Sequence, residues 1–170
     1  MMRIGQGFDV HAFSEDPKRP LRLGGVTLPN ERGLEGHSDA DAVLHALADA
    51  FLGAAALGDI GDHFPDTDPQ WKNADSAELL RHVTLLVRAA GYRLLNADIT
   101  ILAEQPKIAP YRMAMLESIA DAMGVRLERV SLKATTTEKL GFVGRKEGIA
   151  VSAVVLLLKI NAHLDYLNVD

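Results

Sequence analysis

The run "GIAVSAVVLLLK", Gly148 to Lys159, decides how the rest of this chain is read. Ile149, Val151, Ala153, Val155 and Leu157 alternate with Ala150, Val154, Leu156 and Leu158, so a strand here is apolar on both faces. Such a strand belongs inside a sheet covered on both sides. The run falls short of the roughly 20 apolar residues that a membrane-spanning helix needs.

The preceding segments supply the cover for one side. Residues 3–11 read as an opening strand, and Glu15 to Gly33 as a loop with a short hairpin punctuated by Pro, Gly and Asn. A helix is expected from Ser38, with Ser38 or Asp39 as N-cap and Val43, Leu44, Leu47, Ala48, Phe51 and Leu52 as its buried stripe. Gly58 and Gly61 break it. After the Asp- and Pro-rich loop Asp62 to Asp68, a second helix runs from about Asp75 to Ala90 and stops at Gly91. Residues 92–103 alternate as a strand, "QPKIAP" (Gln105 to Pro110) turns, residues 111–123 form a third helix, and residues 129–135 form another strand.

The expectation is a single α/β (α+β) domain over residues 1–159, with about four strands in one mixed sheet. Residues 160–170 are a tail of no clear role. Three helices cover one face of the sheet, so the other should be buried against further subunits.

Composition sets the chemical limits. The chain has 170 residues, 48% apolar and 24% charged, as in an ordinary soluble globular protein. A net charge of −5 argues against general nucleic-acid binding, although a small phosphorylated ligand fits if metal ions and local cations offset its charge. With no cysteine, disulfides, thiolate zinc sites and cysteine nucleophiles are excluded, and any metal must be held by His, Asp or Glu. The opening "MMRIGQGFD" lacks an apolar signal core, so the expected location is cytoplasmic.

Five stretches carry candidate chemistry. In "GFDVHAF" strand alternation puts Asp9 and His11 on one face, away from Phe8 and Val10. Their natural partner is "GHSDADAVLHALAD", where His37, Asp41 and His45 follow at i+4 steps. Two imidazoles and one carboxylate suit zinc with an open fourth position, and Asp49, one turn further, could orient an imidazole. Equally, these residues fit satisfied polar groups at a strand end and a helix cap. "GDIG" and "FPDTDP" offer flexible backbone and carboxylates for a polyol, or ordinary turn chemistry. In "KATTTEKLGFVGRKEG" three threonines suit phosphate oxygens and Glu138 a hard divalent ion; a Thr-rich strand edge before a Gly turn reads the same way.

In combination, "GFDVHAF", "HSDADAVLHALADAFLGAAALGDIGDHFPDTDP", "ADSAELL", "QPKIAPY" and "KATTTEKLGFVGRKEGIA" closely resemble the 2-C-methyl-D-erythritol 2,4-cyclodiphosphate synthase family, from about Arg3 to Lys159. The resemblance implies a lyase of the non-mevalonate isoprenoid route, which cyclises 4-diphosphocytidyl-2-C-methyl-D-erythritol 2-phosphate and releases CMP. It implies zinc on Asp9, His11 and His45, and magnesium or manganese on Glu138, bridging the substrate phosphates. His37 and Thr136 match transition-state stabilisers. Ser38, Asp59, Ile60, Gly61, Phe64, Pro65, Asp66, Thr67 and Asp68 match contacts to the erythritol phosphate. Ala103, Glu104, Gln105, Pro106, Lys107, Ile108 and Ala109, with Thr135 to Glu138 including Thr137, match the cytidine pocket, and Phe142 and Arg145 match further substrate contacts.

The resemblance also implies a homotrimer with shared sites. Arg145 and Glu147 match a pair at the mouth of a central cavity that takes isoprenoid diphosphates, where Lys146 adds a cation. An internal cyclisation needs no external nucleophile, in keeping with a chain that has no Ser-His-Asp triad and no Walker-type lysine loop. Two other classes use the same residues: a metal-dependent phosphohydrolase, and a binding module with structural zinc.

Overall fold

The computed structural model describes residues 1–65, 67–71 and 74–160. The expected contact at Asp66 and tail residues 161–170 lie outside them. Strand β1 (Met2–Ala12) is followed by the hairpin β2 (Leu21–Leu23) and β3 (Val26–Leu28), helix α1 (Ala42–Ala55) and the one-turn helix α2 (Ile60–His63). Then come α3 (Ser76–Ala89), β4 (Tyr92–Leu102), α4 (Arg112–Met123), β5 (Val130–Thr135), the one-turn helix α5 (Gly141–Gly144) and β6 (Gly148–Lys159).

The main sheet has the order β1-β6-β4-β5, with β6 antiparallel to both neighbours and β4 parallel to β5. It is therefore mixed, as expected, with the doubly apolar strand inside it. Ile149, Val151, Ala153, Val155 and Leu157 are fully buried against the helices, each large aliphatic among them contributing roughly 1.5–3 kcal/mol. On the opposite face Val154 is 36% exposed, and the apolar side chains of β1 stand further out: Ile4 at 72%, Phe8 at 54% and Val10 at 41%. The uncovered face is thus real, but its most exposed residues belong to the edge strand β1 and not to β6.

Two glycines set how closely α1 lies on β1. A Cβ at Gly5 would stand 2.0 Å from the carbonyl oxygen of Ala50, and one at Gly7 would stand 1.9 Å from that of Ala46. With no side chains there, and Ala46, Ala50 and Ala54 facing them, helix backbone rests directly on strand backbone. This carries the first turn of α1 over the end of β1 that bears Asp9 and His11.

The start of α1 differs from expectation. Its N-cap is Asp41, not Ser38 or Asp39. Ala40 adopts a left-handed φ of 55°, which ends the preceding loop one residue before the cap. The Asp41 carboxylate is fully buried, capping Val43 and Leu44 and accepting the N–H groups of Gly24 and Gly25 in the β2–β3 turn. Burial pushes its pKa up, against those donors. Asp41 therefore joins hairpin to helix and does not share a ligand face with His45.

Candidate metal centre and ligand cavity

Asp9 and His11, two residues apart on β1, present their side chains toward α1, where His45 meets them one turn after the cap. Asp9 Oδ2 lies 2.9 Å from His11 Nε2 and 3.2 Å from His45 Nδ1, and the two nitrogens are 3.4 Å apart. A tetrahedral ion with bonds of about 2.0–2.1 Å separates its ligand atoms by about 3.3 Å. The three distances match that edge.

Hydrogen bonding alone does not account for the cluster. Asp9 Oδ2 is buried and takes no hydrogen bond of proper geometry, although two imidazole nitrogens are within reach. The outer nitrogens explain why. His11 Nδ1 donates to the carbonyl of Glu35 at 2.6 Å, which leaves Nε2 with its lone pair facing inward. His45 Nε2 has Ser76 Oγ at 2.9 Å and Ser38 Oγ at 3.3 Å, while its Nδ1 faces Asp9. Three acceptor atoms thus converge on one point. Among the described residues, Asp9, His11 and His45 form a group that could hold a metal ion, and they fit one.

Without an ion the imidazoles and the carboxylate act on each other's protons. Burial would raise the Asp9 pKa, but the close approach of the His11 and His45 imidazoles outweighs it and holds the carboxyl well below the usual range. Burial would likewise lower His11; the adjacent Asp9 carboxylate prevails and raises it above 6.5.

The cluster opens into a cavity of about 390 Å³ lined by His11, His37, Ser38, His45, Ile60, Gly61, Phe64, Pro65, Trp71 and Leu79. A second, smaller hollow of about 230 Å³ near Arg88 and Arg129 lies at the far end of the sheet, away from these groups. Six of the expected substrate and stabiliser positions therefore meet the metal cluster in one space: His37, Ser38, Ile60, Gly61, Phe64 and Pro65. Asp59, Thr67 and Asp68 do not line it. Asp59 forms a capping box with Asp62 that starts α2, and Asp68 accepts the backbone N–H of Gln70 at 3.0 Å. Asp49 orients no imidazole; it accepts the N–H of Ile60 at 2.8 Å and anchors the cavity wall, its pKa raised chiefly by burial.

The other expected residues gather elsewhere. Ala103 N donates to Thr135 O at 3.0 Å, joining the end of β4 to the end of β5. Glu104 Oε1 accepts the N–H groups of Thr137 at 3.2 Å and Lys139 at 3.1 Å. This grip holds a turn in which Glu138 and Lys139 both have left-handed φ, 53° and 66°. Thr136 Oγ1 donates to Glu138 Oε1 at 3.0 Å, and both side chains face solvent. Phe142 is 38% exposed on α5, and Arg145 pairs with Glu147 at 2.7 and 3.2 Å.

The two clusters share one end of the sheet but sit at opposite edges, β1 and β5, with β6 and β4 between. Three strand spacings of about 4.8 Å put the edges about 14 Å apart. One chain does not bring His37 and the metal cluster to Thr136 and Glu138.

Sequence reasoning did not single out Ser76, Trp71 or Leu79 as site residues. Only the first had a legible signal, a serine opening a helix directly after an Asp cap.

Fold and site define an α/β domain that closes a three-ligand, metal-type cluster over a small-molecule cavity. The chain belongs to the YgbB family, whose model matches residues 2–158, the family of the 2-C-methyl-D-erythritol 2,4-cyclodiphosphate synthases. The synthase of that name from Geobacillus kaustophilus is 64% identical, covering 94% of this chain and 99% of its own. That of Moorella thermoacetica is also 64% identical, covering 92% and 95%. Among solved structures, the bifunctional IspDF of Campylobacter jejuni matches with a TM-score of 0.90 and 48% identity over 95% of this chain, which spans 43% of that longer protein. An IspF–CDP complex from Plasmodium falciparum matches with a TM-score of 0.82 and 36% identity over 94% and 97%. Among the described residues no helix is long and apolar enough to cross a membrane.

Proposed function

We propose that this chain is a metal-dependent synthase that converts 4-diphosphocytidyl-2-C-methyl-D-erythritol 2-phosphate to 2-C-methyl-D-erythritol 2,4-cyclodiphosphate and CMP, in the cytoplasm. The observation that carries the reading is the convergence of Asp9 Oδ2, His11 Nε2 and His45 Nδ1 beside a cavity that also holds His37 and Ser38. When bound, zinc at those ligands and magnesium or manganese at Glu138 supply charge neutralisation and polarisation of phosphate oxygens.

The protein's own part is positioning. Phe64, Pro65, Trp71 and Leu79 wall the cavity and exclude water, while Ser38 and the backbone of Ile60 and Gly61 offer polar contacts to the erythritol phosphate. The substrate's 2-phosphate oxygen attacks the β-phosphorus, the bond to the CMP oxygen breaks, and CMP leaves with the electron pair. His37 and the Thr136 hydroxyl donate hydrogen bonds as charge develops. The attacking phosphate is already ionised, so no general base is needed.

The active unit is a homotrimer with sites at subunit boundaries. The β5-edge cluster holds the cytidine side, at Ala103 to Ala109 and Thr135 to Thr137, and one subunit's cluster completes its neighbour's cavity. The separation of the clusters across the sheet supports this, as does the exposed apolar face at Ile4, Phe8 and Val10. Arg145, Glu147 and Lys146 then ring the mouth of a central cavity suited to an isoprenoid diphosphate.

Incubating the purified protein with the diphosphocytidyl substrate and zinc plus magnesium, followed by phosphorus NMR, tests the activity. The cyclic diphosphate and CMP are the expected products. Inorganic phosphate or a linear product would replace this reading with a phosphohydrolase.

A further inference from the structure

Behind the cavity, His45 is held by Ser76, and Ser76 by Asp39; neither of these two side chains lines the cavity. His45 Nε2 meets Ser76 Oγ at 2.9 Å, and that hydroxyl donates to Asp39 Oδ1. The backbone N–H of Ser76 donates to Asp39 Oδ2 at 3.1 Å, so the carboxylate grips serine side chain and main chain together. Ser76 is 1% exposed. Arg22 steadies the far side, its guanidinium 4.0 Å from Asp39 Oδ2 and 3.8 Å from Asp75 Oδ1.

A hydroxyl has one proton to give. With that proton committed to Asp39, Ser76 Oγ receives the Nε2–H of His45. The ring then points Nδ1, with its lone pair, at Asp9 and His11. Ser38 Oγ, at 3.3 Å from the same nitrogen, is the weaker partner. His11 has a backbone carbonyl in the corresponding place, so the two imidazoles are oriented by different means.

We infer that Ser76 and Asp39 are positioning residues for the metal centre: their hydrogen-bonded relay fixes the ring of His45, raises its basicity and sets the affinity of the site for zinc. This rests on the metal reading of Asp9, His11 and His45 given above. Removing a group that orients a metal-bound histidine costs about 10- to 100-fold in metal affinity. The relay begins at the N-terminus of α3, an element that contributes no ligand, so it ties zinc affinity to the docking of α3 on α1.

The test is zinc affinity by chelator competition for the full chain and for Ser76→Ala and Asp39→Asn, with the visible spectrum of the cobalt-substituted proteins as a second readout. Ser76→Ala should bind zinc about 10- to 100-fold more weakly and shift the cobalt bands, because the ring loses its fixed orientation. Asp39→Asn should weaken binding in the same direction but less, since an amide oxygen still accepts from Ser76. Should Ser76→Ala fail to fold, the near-isosteric Asp39→Asn decides the matter. Unchanged zinc affinity and cobalt spectra in the folded variants would overturn the relay alone. A wild-type protein that takes up no zinc would overturn the metal reading itself.

Discussion

Gly7 and Ala46 are in direct backbone contact: a methyl group on Gly7 would stand 1.9 Å from the Ala46 carbonyl oxygen. Nothing flexible lies in that direction, so a side chain there must lift the first turns of α1 off β1. Gly7→Ala should destabilise the fold by at least the roughly 1–3 kcal/mol of ordinary overpacking. It should also move His45 away from Asp9 and His11. Thermal unfolding and zinc analysis on the same sample check this, and a stable variant with full zinc would refute the coupling.

His45→Ala should behave differently. His45 lies at the margin of the apolar stripe, half-buried, so its loss should leave no large core cavity. The expected result is a folded protein with little bound zinc and little activity. Full zinc occupancy by metal analysis would remove His45 from the ligand set.

Zinc at the proposed centre would compete with protons for His11. Its pKa is raised above 6.5 by Asp9 in the zinc-free protein. A raised folded-state value means that the Asp9–His11 pair contributes stability fully below pH 6.5 and loses it as pH rises through the higher folded value. The depressed value of Asp9 means that its contribution is present above about 3.8 and lost as pH falls below that. Zinc needs the imidazole unprotonated, so its affinity should instead decline as pH falls through the His11 value. Parallel melting curves with and without zinc, from pH 5 to about pH 9, should converge at the acidic end. A zinc increment independent of pH would contradict this.

Thr136→Val keeps the side-chain shape and removes the hydroxyl. A lost transition-state hydrogen bond should lower kcat more than it raises KM. Because Thr136 Oγ1 also donates to Glu138, the assay belongs at saturating magnesium or manganese, where a weakened second ion no longer contributes. A change in KM alone would make Thr136 a ground-state binder.

The distance between the β1-edge and β5-edge clusters predicts complementation. A His45→Ala chain and a chain altered in its cytidine pocket (Lys107→Ala with Thr137→Ala) should each be inactive alone. Unfolded and co-refolded, they should form mixed trimers in which some sites have both halves intact, and activity should partly return. A monomer on sizing, or inactive mixed trimers, would defeat the shared site.

The local elements were legible because their signals are local. Period-two alternation marks β1, β4 and β6, helical spacing marks α1, α3 and α4, and Gly91 and Gly124 stop two of those helices. The sequence alone also specified that a metal site could draw only on His, Asp and Glu, and its motifs pointed to Asp9, His11 and His45 together. What it left open were choices among polar groups with equal local claims. Ser38, Asp39 and Asp41 are all competent N-caps; only the arrival of the β2–β3 turn, with two N–H groups needing an acceptor, made Asp41 the cap. That choice released Ser38 to the cavity and Asp39 to Ser76, a residue 37 positions away that no spacing rule connects to it. Likewise Asp49 found a backbone N–H before an imidazole. The separation of the two residue clusters onto opposite sheet edges is also tertiary. It follows from the strand order β1-β6-β4-β5, set by which strands could bury both faces and which had to stand at an edge.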